Sequence, residues 1–125
     1  MSNAAIKEAG VWLESAQRTI EQGDPESLIV ATAQAIHAII KANDALSLKF
    51  LNTRAKRHDD AISLFMRLVR ENKIPQEEAR NRDTLTIAVN EKSKYDYTGQ
   101  PISKRDAQRM VLNAIKFVSF ARKYI

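Results

Sequence analysis

Three ionisable side chains of different kinds, His37, Lys41 and Asp44, interrupt an otherwise apolar run at residues 35–46. An α-helix advances about 100° per residue, so positions i, i+4 and i+7 lie within about 60° of one another and these three share one stripe. A histidine, a cation and a carboxylate in one line could form the lining of an anion-binding groove, with Asp44 orienting a histidine or an arginine. The same stripe equally fits the polar edge of a bundle, with Lys41 and Asp44 as an i, i+3 ion pair. Beyond it comes a basic turn, Arg54-Ala55-Lys56-Arg57, which leads into the only other histidine, His58. At a helix N-terminus, backbone N–H groups and neighbouring cations attract anions. Such surroundings disfavour an imidazolium, leaving His58 neutral and able to accept a proton, although the ring could also merely cap a turn. Further on, Lys94 beside Tyr95 and Tyr97 offers a cation and two rings that could stack on a base or anchor a loop by packing.

Other chemistries find no support. There is no Gly-rich dinucleotide fingerprint, no Walker loop, no HExxH and no serine nucleophile elbow. With two histidines and no cysteine, a zinc site would need carboxylates to complete it, and His37 with Asp44 has the wrong spacing for a metal-binding pair. No metal and no cofactor is implied.

These side chains need helices to position them. Three glycines and three prolines in 125 residues are few breaks, which predicts a few long elements in one domain, residues 1–125. The expected fold is all-α, an up-and-down helical bundle of four to five helices. Ile6, Ala9, Leu13, Ala16 and Ile20 step by three and four as on an amphipathic helix, which Ser2 or Asn3 could cap. Asp24-Pro25 reads as an N-cap with proline at the first helical position, opening a long central helix from Pro25 to about Leu51. Alanines at 31, 35, 38, 42 and 45 would let neighbouring helices approach it closely. A third helix is expected from His58 to about Glu71, buried through Ala61, Leu64, Phe65 and Leu68. Asn72-Lys73-Ile74 then makes a turn, and Pro75 with Glu77 and Glu78 opens a fourth helix. Residues 84–89 have strand-like propensity, but no second strand is available to pair with them, so a helix is preferred. Ser103 with Asp106 predicts a capped last helix from Lys104 to about Tyr124.

The net charge of +5 is unevenly spread. Residues 1–50 carry four basic and six acidic side chains, residues 51–125 sixteen and nine. Such asymmetry suits a surface that faces a polyanion. The absence of cysteine, of a long apolar span and of a signal-peptide pattern gives the expectation of a cytoplasmic protein with no membrane partner.

The pattern AIHAIIKANDAL, then RAKRHDDAISLF, then KYDY ahead of a helix opening ISKRDA resembles the HEPN family (higher eukaryotes and prokaryotes nucleotide-binding), from about Ala5 to Tyr124. The resemblance implies a bundle of four or five helices, frequently a homodimer. It also implies nucleotide or RNA as ligand, either in RNases of toxin–antitoxin and defence systems or in nucleotide-binding partners of small nucleotidyltransferases. In the RNases, a histidine acts on the 2′-hydroxyl and an arginine stabilises the phosphate, without metal. Here those roles would fall to His58 and Arg54. The RNase spacing of arginine to histidine is four to six residues, whereas three separate Arg54 from His58. That departure favours the non-catalytic branch, with His37, Lys41, Asp44, Arg57, Lys94 and Tyr95 as ligand-binding residues.

Overall fold

A computed structural model describes residues 1–94 and 100–125, the side chains of His58 and Ser93 excepted. Among them, five helices follow in order: α1 (Ser2–Ile20), α2 (Pro25–Leu51), α3 (His58–Arg70), α4 (Asn81–Ser93) and α5 (Lys104–Arg122), with a 3-10 turn, Gln76–Glu78, before α4. Among the described residues there is no strand, and no helix is long and apolar enough to cross a membrane.

The central helix α2 touches each of the other four. Its alanines at 31, 35, 38, 42 and 45 are fully buried, and their small side chains let α1 and α5 lie close on either side. Asp24 caps it as the sequence suggests, with Oδ2 accepting from Ser27 N–H at 3.1 Å and Oδ1 from the Ser27 hydroxyl at 2.7 Å. At the other end Asn52 takes a left-handed conformation, φ 53°, which asparagine tolerates better than other non-glycine residues. The Thr53 N–H then reaches back to the Ser47 carbonyl, closing the helix and aiming the chain into the loop before α3.

Buried Asn43 ties α3 to α2, its Nδ2 donating to the Ala61 carbonyl at 3.1 Å. Phe65, fully buried on α3, meets Phe117 and Phe120 of α5, and Phe120 in turn meets Tyr124 edge-on. At the α1–α5 contact, Gly10 leaves room for the guanidinium of Arg122, whose Nη2 lies 2.8 Å from where a Cβ would stand.

Several boundaries differ from expectation. Neither Ser2 nor Asn3 caps α1; Met1 occupies the cap position with no side-chain hydrogen bond. Leu64 is only partly buried, and Val69 takes its place in the core. Residues 72–74 turn as expected, and after left-handed Asn72 the N–H groups of Lys73 and Ile74 both bond to the Leu68 carbonyl, which carries the Ile74 side chain wholly inside. Pro75 opens the 3-10 turn, and α4 starts only at Asn81. There the Asn81 amide donates to the Glu78 carbonyl at 3.0 Å, a local bond that competes with continuing helix. Residues 84–89 are helical, with Leu85, Ala88 and Val89 buried. Ser103 Oγ accepts from Asp106 N–H at 3.1 Å and starts α5 as the sequence suggests.

Candidate functional site

The short turn at residues 21–24 folds α1 and α2 into an antiparallel hairpin, so steps of three and four down α1 meet steps of three and four up α2. Trp12 stacks on His37, ring centroids 4.8 Å apart and planes inclined by 27°. One turn along, Glu8 pairs with Lys41 at 3.7 Å. One turn further, α1 presents Ala4 and Ala5 opposite Asp44, and these small residues leave a cleft of about 410 Å³. Leu48, Asn52, Thr53 and Arg54 close its far side. A second cavity of about 580 Å³ shares Lys41, Asp44, Thr53 and Arg54 and extends over Ala55 and Lys56. Together they make a trough that runs around Arg54.

Asp44 lies at the floor. It is 7 % exposed, and its Oδ1 has no hydrogen-bond partner among the described residues. Burial pushes its carboxyl above the usual carboxylate range; Lys41, Arg54 and the backbone N–H of Ala55 pull it back, and Glu8 adds a small push upward. A buried carboxylate oxygen without a donor is costly in a monomeric fold, and such costs concentrate where ligands bind. The folded carboxyl therefore holds its proton more tightly than an unfolded aspartate, near pH 4. Stability is highest below that pH and falls as pH rises through the raised folded value. Asp44→Asn removes the charge, so at pH 7 it should be more stable than the parent, as when a site tuned for function is relieved. Denaturant melts of both proteins at neutral pH and well below the unfolded aspartate pKa check this: the gap should close in acid.

Of the residues marked in the sequence, Lys41, Asp44 and Arg54 line one trough. His37 does not line it; its ring packs on Trp12. The ion pair expected along α2 between Lys41 and Asp44 gives way to one across the hairpin with Glu8, because the antiparallel register sets a carboxylate opposite Lys41. Arg57 is exposed at the N-cap of α3, where its backbone N–H donates to Asp60 Oδ2 at 3.1 Å. Lys94 lines a separate cavity between α4 and α5, with Ile87, Asp106 and Arg109, and pairs with Glu91 at 3.7 Å. Tyr95 and Tyr97 lie outside the described residues, as does the His58 side chain. Arg54 sits in irregular loop ahead of α3, so no helical turn relates it to His58. Glu8, Trp12 and Asn43 carried no mark in the sequence. The first two were detectable only by pairing their four-residue step on α1 with that of His37 and Lys41 on α2.

A larger groove of about 690 Å³ runs between α4 and α5, with Arg80, Lys116 and Lys123 on its walls. Lys123 is already engaged there by Glu78 Oε2 at 2.8 Å, an oxygen that also accepts from the Tyr124 hydroxyl. These bonds hold the Glu78 carboxyl below the usual glutamate range. No buried polar atom on that groove's lining lacks a partner among the described residues. The trough at Asp44 is the better candidate.

The fold and its trough define a small helical domain with a cation-rimmed cleft at one end of a helical hairpin. The HEPN domain family model matches residues 2–124, and the chain belongs to that family, whose members are generally nucleotide- or RNA-related. No curated protein matches the chain.

Proposed function

We propose that the chain is a nucleotide- or RNA-binding module and that its ligand seats in the trough around Arg54. One observation carries this: Lys41, Arg54 and Lys56 surround a cavity whose floor is a buried carboxylate with an unused acceptor. Cations at a rim hold phosphate, and a fixed polar group beneath them orients what is attached to it. Arg57, exposed on the same loop, adds positive charge. In the family's terms this is the ligand-binding branch, and we assign the chain as a homodimeric partner of a small nucleotidyltransferase in a toxin–antitoxin type system.

Titration calorimetry with nucleoside triphosphates and short single-stranded RNAs at several salt concentrations tests the binding claim. Three phosphate contacts on a single strand predict a slope of log affinity against log salt of about −2. Affinity independent of salt, or no binding at all, would sink it. The same preparations mixed with labelled RNA and a chelator read out cleavage; cutting abolished by His58→Ala would move the chain to the RNase branch.

A further inference from the structure

We propose, building on the binding reading above, that the Asp44 cleft selects a guanine base, its carboxylate accepting from the N1–H and N2–H groups of guanine while Arg54 and Lys56 hold the attached phosphate. The ligand must bring a hydrogen-bond donor to the floor. Asp44 lines the cleft, and its buried Oδ1 has no donor among the described residues. An ionised carboxylate only accepts, with about four lone-pair sites on two oxygens. A group that sets a lone pair against it is repelled.

The walls add a second requirement. Ala4 and Ala5 give one side an apolar surface, and Arg54 with Thr53, beside Leu48, gives the other a charged one. A flat ring with a phosphate tail matches that division better than a phosphate alone, which would gain nothing from the alanines and would meet Asp44 with like charge. Among the bases, uracil flanks its single N–H with two carbonyl oxygens. Adenine and cytosine each set an amino group beside an unprotonated ring nitrogen. Guanine alone sets two N–H donors side by side, so it alone can face a carboxylate with donors only.

The test is competition binding of the full chain with GTP, ITP, ATP and UTP at low salt and neutral pH. Losing hydrogen bonds to a charged group corresponds to roughly 10–100-fold in affinity, so GTP should lead ATP and UTP by that factor. ITP lacks the 2-amino group and should fall between them, an arm that needs no variant. In Asp44→Asn the amide offers one acceptor and one donor, the complement of adenine, so the guanine preference should vanish and ATP should match or exceed GTP. A pair of uridine-rich RNAs, one carrying a single guanosine, distinguishes the sources. Tighter binding of the guanosine RNA assigns an unpaired RNA base; a GTP preference without that gain assigns a free nucleotide. Equal, salt-sensitive affinities for the four triphosphates would overturn guanine selection and leave the phosphate reading standing. A GTP preference that survives Asp44→Asn would remove Asp44 from the role. Absence of salt-sensitive binding by every probe would overturn both.

Discussion

Phe65→Ala should destabilise the protein by about 3–5 kcal/mol, the usual range for deleting a fully buried phenylalanine. Phe65 has no exposed surface and joins α3 to the aromatic cluster, lying 6.5 Å from Phe117 and 6.1 Å from Phe120 between centroids. Truncation forfeits the transfer of the ring, its contacts with two neighbours and the filling of the space between α3 and α5. In a domain of this size the melting temperature should fall by roughly 10–20 °C. The effect reaches the trough as well. With buried Ala61, Leu68 and Val69 and the Asn43 bond, the Phe65 cluster holds α3 on the bundle, and α3 fixes one end of the loop that bears Arg54 and Lys56. Hydrogen exchange should accelerate first in α3 and that loop. A loss below about 1 kcal/mol in guanidinium melts would show that the cluster repacks and does not pin α3.

The second large effect concerns binding. Replacing Arg54 and Lys56 together by alanine should cut affinity for single-stranded RNA or nucleotide by about 10–100-fold, since each charge-assisted contact contributes about 1.5–3 kcal/mol when desolvated and less at a rim. Two lost phosphate contacts should also flatten the salt slope by about 1.4. Both residues are exposed and enter no salt bridge among the described residues, so the fold should be unchanged by circular dichroism. The pair must be changed together: on one loop a cation can cover for its neighbour, and neighbouring substitutions are seldom additive. An unchanged slope would place the phosphate elsewhere.

How much of this the sequence discloses depends on the range of the interaction. Two local signals read correctly, while the expected Ser2 or Asn3 cap of α1 did not form. Asp24-Pro25 and Ser103 mark helix starts because a side-chain oxygen three residues before an orphan N–H bonds to it whatever the rest of the chain does. The alanine-rich face of α2 implied a central helix, and the structure has it touching all the others. The helical state of residues 84–89 followed from the lack of a pairing strand, not from propensity. What else the sequence missed depended on partners elsewhere in the chain. The turn at residues 72–74 forms as expected, but the burial of Ile74 follows from the fold-back at Asn72, and α4 starts late because Asn81 bonds locally and Glu78 turns to Lys123. In the site, the stripe of His37, Lys41 and Asp44 was visible from periodicity alone. Its division was not. Which member stacks, which pairs and which is left with an unused oxygen is decided by Trp12, Glu8 and the two alanines on α1, and their register depends on where the α1–α2 turn closes. Lys94 fell to a different cavity because the helix that carries it packs on α5, away from the hairpin's open end.

The central claim is that ligand binds at the Asp44 trough and not in the larger basic groove between α4 and α5. An amide-resolved NMR titration of the full chain with the tightest-binding nucleotide or short RNA measures this directly. Shifts should centre on Lys41, Asp44 and the backbone of residues 53–56, with Glu8 following across the hairpin. Shifts centred on Arg80, Asn81 and Lys116, with residues 41–56 unmoved, would contradict it.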